Sequence, residues 1–582
     1  MKNTPILLLS AVLLAGACSL DEKMVSSSSP GDYYKNEAQC IAGLNACYQP
    51  LRAIYTSKNY FQVCEVQTDL MFSKRRDQYN AICQITPANS QFGADMWQNG
   101  YLGVMRSNAV YAGVLRSPLS EAEKVPLLAE AVVLRAMFYY ILTSNFGNVP
   151  YYTEEVTNEN NMRISRLPRM SAHDTRNALI DELREWIVEK KALGWARTND
   201  DTNKQQYRCG AALGLYLAGK MCLWEERWTD AVEFFGYLED IYGNGAGHPD
   251  GCLQQYSLSD IPFSKRHAPE VILEIDNIAE DYGLQLSGTV ASYTMPIRAD
   301  SAGAAAEDEE DPEEMAEADN DIYDGVGIPA LGKYARTAVP IRPTRKVWKK
   351  LMTYDSPDKR RSSYEVTATR AQTAPGPIVE IPDGGGYLAW GWPGYDPEDD
   401  RSTVEPQFRL FNQVVTRTYR PYLGNKFWCF GMKSTLDANS YKAFRFAGAV
   451  LGLSEAWCRK GDLEKACAYL NAVKERAGIA SVAPSDFPTP EDLMEEIRNE
   501  YGRELLGEFQ RKHDLVRWGV WYEYVMEYNV RAPYNDNVDG GENNTVLAQY
   551  LKPCHRYYPI PDEQITYSGG MLDNDEYNKY GL

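Results

Sequence analysis

The stretch YKAFRFAGAVLGLSEAWCRKGDLEKACAYLNAVKERAG, residues 441–478, constrains the architecture most. Apolar residues recur every three or four positions on both sides of Gly461, so the segment reads as two amphipathic helices joined by a tight turn. Residues 207–243 have the same form, with the turn near Trp228. Small residues at the presumed contacts (Ala456, Ala466 and Ala468; Ala212, Ala218 and Ala231) would let the paired helices approach closely. Helical periodicity also marks 36–55, 96–117, 124–147 and 171–194. The third of these stops at Gly147 before Pro150, and the fourth starts at a capping candidate, Ser171, with acids early and bases late.

Such pairs are tetratricopeptide-like units, which bury their apolar faces only by stacking on neighbours. The expected fold is mainly α, tetratricopeptide-like helical repeats with a loop-rich, partly β region packed on them. That region is 245–440, where strand-like runs such as EVILEID (270–276) alternate with Gly-, Pro- and acid-rich loops. It separates an N-terminal helical region, 33–244, from a C-terminal one, 441–582. At the start, Lys2 and the apolar run Ile6–Leu14 have the form of a signal peptide over 1–17. Ala15-Gly16-Ala17 leads into Cys18, and a cysteine there resembles the lipobox of bacterial lipoproteins, so Cys18 is expected to carry the lipid. Residues 18–32, Ser-rich and without periodicity, read as a flexible tether spanning roughly 20 Å. No stretch after residue 20 is read as approaching the roughly 20 apolar residues a bilayer requires.

A net charge of −20 argues against nucleic acid, whose phosphates need a basic surface. Eleven acids and no base fall between Glu307 and Asp324, which is read as a solvated loop in preference to a calcium site. The eleven cysteines other than Cys18 contain no C-x-x-C pair and sit mostly in apolar context, so they are read as buried small side chains. Five scattered histidines show no metal cluster, and no cofactor is read from the sequence. The unusual load is aromatic: 40 Tyr and 12 Trp against 16 Phe. Those two residue types combine an apolar face with a polar handle and suit wet binding surfaces.

Several segments, in order, resemble the SusD/RagB family of surface lipoproteins. They are MWQNGYLGVMRSNAVY (Trp97, Tyr101, Asn108), AEAVVLRAMFYYILTSNFGNVPYYTE (Glu130, Arg135, Phe146, Gly147, Pro150), RPTRKVWKKLMTYDSPDKRRSS (Asp358, Arg360), IRNEYGRELLGEFQRKHDLVRWG and YYPIPDEQI. In the fourth, Tyr501 stands where the family usually has Arg and Phe509 where it usually has Gly. The resemblance implies four tetratricopeptide-like units and a partner, a SusC-like TonB-dependent outer-membrane transporter. It further implies capture of oligosaccharides, or in some members peptides, without hydrolysis. The residues of the fourth segment read as structural: Glu504, Arg511, Asp514 and Arg517 lie at helical spacings suited to a charge network. Alternating Arg and carboxylate would hold the acids ionised and spoil them as general bases.

A sugar-binding platform needs exposed rings on loops, with carboxylates, amides and Arg to grip hydroxyls. Two places offer them. Residues 67–82 supply Asp69, Arg76, Asp77, Tyr79 and Asn80; residues 384–400, GGGYLAWGWPGYDPEDD, supply Tyr387, Trp390, Trp392 and Tyr395. Trp97 is assigned to the core. The rival readings are a surface glycoside hydrolase, for which nothing selects a catalytic pair of acids, and a lid with no ligand of its own.

Overall fold

Eight helices form four successive pairs: α1 (Glu37–Tyr55) with α2 (Gln91–Arg116), α3 (Glu121–Phe146) with α4 (Ala172–Leu183), α5 (Ala211–Trp224) with α6 (Trp228–Tyr242), and α7 (Phe446–Lys460) with α8 (Leu463–Arg476). The computed structural model describes residues 33–73, 84–194, 208–277, 288–294, 341–353, 356–363, 365–366, 378–379, 386–390, 408–410, 413–415, 422–424, 426–427, 438–530, 547 and 549–582. Each helix packs on the next, and α1, α3, α5 and α7 also touch in succession, making an inner row. Inner helices are covered on two sides, and α5 is buried through Leu223 and α3 from Leu127 to Phe146. This is the stacked, tetratricopeptide-like helical fold.

Local chemistry sets the ends. Ser120 and Glu123 make a reciprocal capping box on α3, and Gly147 ends it at φ 69°. Ser171 caps α4, and Gly461 turns α7 into α8 at φ 86°. Close helix contacts fall on glycines: Phe235 of α6 wedges between Gly219 of α5 and Gly452 of α7, where an added Cβ would lie 2.5 and 2.4 Å from its ring. The alanines named from the sequence are buried beside these contacts, apart from half-buried Ala468.

One sequence expectation is corrected. Helix α3 is long and apolar enough to cross a membrane, although no stretch after residue 20 was expected to be. Its sides are almost wholly covered by protein, and it carries Glu130 paired with Arg208 at 2.7 Å and Arg135 paired with Glu182. It is the core helix of the repeat stack. Nine cysteines, Cys40, Cys47, Cys64, Cys209, Cys222, Cys252, Cys458, Cys467 and Cys554, are buried free thiols; Cys18, Cys83 and Cys429 lie outside the described residues.

Helix α9 (Pro490–Glu504), with Thr489 as its capping-box residue, packs on α7 and α8, and the short α10 (Arg511–Arg517) follows it. The middle region contributes short strands: β1 (Met71–Ser73), β2 (Val271–Ile275), β3 (Ile341–Pro343), β4 (Arg361–Ser363), β5 (Leu388–Trp390), β6 (Tyr422–Leu423) and β7 (Tyr441–Arg445). β1 pairs antiparallel with β3, β2 with β7 and β6 with β5, while β4 lies parallel to β5. β3 also touches β6, so the strands leading into the two aromatic segments, β1 and β5, belong to one neighbourhood.

Candidate functional site

Beneath that neighbourhood lies an interior built of charge. The Glu504 carboxylate meets three guanidiniums: Arg360 at 2.9 Å, Arg445 at 2.8 Å and Arg476 at 2.5 Å. Arg360 also grips Asp358 at 2.8 Å and Glu500 at 2.7 Å; Arg445 grips Glu270 at 2.7 Å and Glu508 at 2.8 Å. With Arg503 on Glu500 and Lys426 on Glu508, five cations and five carboxylates interlock with almost no solvent exposure. Burial alone would raise the Glu504 carboxyl, but Arg476, Arg445 and Arg360 pull it far below the usual range. Glu500 is held down in the same way by Arg360 and Arg503.

This cluster fixes the root of the 384–400 segment. The Tyr387 amide donates to the Arg360 carbonyl at 2.8 Å, and the Lys426 amide donates to the Gly386 carbonyl at 2.9 Å. The Lys426 ammonium sits 3.7 Å from the centre of the Tyr387 ring. Backbone approach here is extreme: a Cβ on Gly424 would lie 2.0 Å from the Gly386 carbonyl oxygen, so only glycine fits.

The root of 67–82 is fixed by a second cluster. Arg511 donates to both Asp69 oxygens at 2.8 and 2.7 Å, and Lys346 adds a bond of 2.8 Å. Burial opposes ionisation of Asp69, yet the two cations hold its carboxyl well below the carboxylate range. The Asn529 amide donates to the carbonyls of Val66, Thr68 and Met71, and the Trp521 indole donates to that of Gln67. A third cluster joins α5, α7 and α10: Asp514 accepts from Lys220 at 2.6 Å and Arg517 at 2.8 Å, and Arg517 and Trp518 both bind Glu455. Glu504, Arg511, Asp514 and Arg517 therefore serve three separate clusters, with Lys220 and Asp69 as partners that sequence spacing could not supply.

Two candidate ligand residues are corrected by their placement. Asp69 is fully buried with both oxygens committed to Arg511 and Lys346, and Tyr387 is fully buried over Lys426. Neither has a face to offer a ligand; both anchor the segments that carry the other candidates. Trp390 ends β5, opposite Ser363 of β4. Arg76, Asp77, Tyr79, Asn80, Trp392 and Tyr395 lie outside the described residues, as do Cys18 and the acidic run 307–324. Trp97 is buried against Tyr101 and Phe146, and Asn108 accepts from Arg135 at 2.9 Å.

Between these clusters lies Glu65, whose carboxyl is fully buried with neither oxygen in a hydrogen bond of normal geometry. Burial pushes its pKa up to about 8, against the pull of Lys426 and Arg511. A raised pKa means the folded state favours the protonated form; the resulting stabilisation is complete below about pH 4.3 and is lost as pH rises toward 8. Glu65→Gln should therefore raise Tm relative to the parent by an amount that grows between pH 5 and pH 8. A pH-independent difference in calorimetry would contradict this.

A family model described as "SusD family" matches residues 401–577, and one described as "Starch-binding associating with outer membrane" matches 20–193. The chain belongs to the SusD/RagB family. A SusD-like protein P25 of Formosa agariphila is 29% identical over 139 residues, a match covering 23% of this chain and about a quarter of that protein's length, 24%. A SusD superfamily protein from Bacteroides vulgatus superposes with a TM-score of 0.62 at 17% identity, covering 92% of this chain and 98% of that one. A surface glycan-binding protein A from Bacteroides thetaiotaomicron, solved in complex with laminarihexaose, superposes with a TM-score of 0.59 at 16% identity, covering 93% and 99%. These SusD-like structures share the fold along nearly its whole length.

Proposed function

We propose that this protein is a surface lipoprotein that binds oligosaccharides, with peptide as the alternative cargo, and delivers them to a SusC-like TonB-dependent outer-membrane transporter. It acts as a binding protein and not as an enzyme. The observation that carries the reading is the rooting of a Tyr- and Trp-rich, Gly-flanked segment on β5, bolted by the buried Arg–carboxylate cluster to the helical stack. Rigid foundations under aromatic loops suit stacking on sugar faces. Membership of a family in which the related Bacteroides protein carries laminarihexaose supports a glycan as the ligand.

The rival reading, a glycoside hydrolase, needs two carboxyl groups about 5 to 10 Å apart with pKa values pushed apart. The buried acids Asp69, Glu500, Glu504 and Asp514 are instead held ionised by Arg or Lys, which suits them to scaffolding, and Glu65, whose carboxyl is raised, is fully buried away from any ligand. Glycan and peptide arrays, followed by product analysis of the bound species, separate the readings. Retention of a glycan without cleavage supports the proposal; released product would establish the hydrolase, and no retention at all the ligand-free lid.

Anchorage follows the same proposal. Cys18→Ala should shift the protein from the membrane fraction to the soluble one and abolish incorporation of labelled palmitate, because acyl chains contribute about 0.8 kcal/mol per buried methylene. Membrane sedimentation and labelling that persist in the variant would place the anchor elsewhere. Asp21-Glu22, just after the lipid site, resembles a short acidic export signal, so protease added to intact cells should digest the protein.

A further inference from the structure

Glu274 ends toward the C-terminal side of β2, and Asp276 follows two residues later in extended chain, so their carboxylates project from one face. The turn before β2 brings an imidazole to that face. His267 adopts φ 54°, and its amide donates to Glu274 Oε2 at 2.9 Å. Its Nδ1 then stands 3.5 Å from Glu274 Oε2 and its Nε2 3.9 Å from Asp276 Oδ2. One ligand atom from each of the three residues lies within 4.8 Å of the others.

The carboxylates are also aimed. Ser440 Oγ donates to Asp276 Oδ1, leaving Oδ2 on the imidazole side. The Glu274 side chain is only 7% exposed. Its Oε1 is buried outside any hydrogen bond, with the Lys442 ammonium 3.6 Å away. Lys442 is itself committed to the carbonyls of Pro262 and Lys265. The two carboxylates meet at the imidazole, with the Lys442 ammonium beyond Glu274 and the Arg52 guanidinium bonded to the Asp276 carbonyl at 3.2 Å.

We propose that His267, Glu274 and Asp276 bind a divalent transition-metal ion of the zinc class. A mixed donor set of one imidazole nitrogen and two carboxylate oxygens suits zinc or cobalt, whereas calcium takes oxygen donors throughout. Three protein ligands leave a position for water, and the Ser440 hydroxyl supplies the outer-shell support that such sites use. The ion would clamp the turn at 262–270 to β2, and through β7 to the start of the C-terminal helices. Sequence spacing conceals the site because the histidine precedes its partners by seven and nine residues across a turn.

The test is calorimetric titration of the purified full chain with zinc, backed by the absorption spectrum of the cobalt-loaded protein. One equivalent should bind, and saturation should raise Tm by on the order of 2 to 5 °C. His267→Gly keeps the left-handed backbone at no steric cost and removes the imidazole; Asp276→Asn removes one oxygen charge. Each should weaken binding tenfold or more while the apoprotein stays folded. A parent that shows no saturable one-to-one binding, as expected if the imidazole is merely clamped between two acids, overturns the proposal. Unchanged affinity in both variants, or a cobalt spectrum dominated by thiolate charge transfer from the cysteines, overturns it too.

Discussion

Glu504→Ala should destabilise the protein by about 3 to 5 kcal/mol, because it strips a shared carboxylate from Arg360, Arg445 and Arg476 while all three stay buried. Water cannot replace the lost partner at a site with no exposure, so the cost is that of uncompensated charge. Glu504→Gln keeps the volume but not the charge and should lose nearly as much. Glu155→Ala is the control: its partner Arg116 is 55% exposed, and such pairs contribute at most about 1 kcal/mol. A loss for Glu504→Ala as small as for Glu155→Ala, measured by denaturant unfolding, would contradict the account of the charged interior. The three buried clusters together set the acid response. Glu504, Asp514 and Asp69 have folded pKa values below their unfolded ones, so their stabilisation is present above about pH 4 and is lost as pH falls below it.

The Trp390→Ala/Trp392→Ala double variant should weaken glycan binding by roughly ten- to several-hundred-fold, at about 1 to 2 kcal/mol for each stacking ring. One residue separates the two in sequence, and in extended backbone such positions would project from one face about 6 to 7 Å apart, close to the repeat of a sugar chain. Affinity and Tm should be measured together. Full stability with lost affinity is the expected result; a stable variant that binds like the parent, or one that fails to fold, removes this pair from the ligand site.

The helical stack was legible because apolar periodicity and turn residues are local signals: Gly461, Gly147 and Ser171 end or cap the helices they were expected to. The glycine contacts around Phe235 were not legible, since nothing local shows that α5 and α7 both meet that ring. Burial of charge was the main surprise. Asp69 and Arg511 are 442 residues apart, so Asp69 looked like a polar loop residue free to grip a ligand. Tyr387 misled for a similar reason: its neighbour Lys426 arrives from the turn after β6. The family departure at Phe509 has a physical reading as well. Its backbone takes φ 62°, a conformation natural to the usual glycine, and the strained phenylalanine is offset by ring contacts with Tyr55, Tyr60, Phe61 and Tyr441.

The central claim is that ligand is held by aromatic segments rooted on β1 and β5 while the helical stack serves as scaffold. Hydrogen exchange of the full chain, with and without the glycan that the array retains best, tests it most directly. Protection should rise in 384–400 and in 67–82 and stay unchanged along α1 to α8. Protection confined to the helical pairs, with both aromatic segments exchanging as in the free protein, would contradict it.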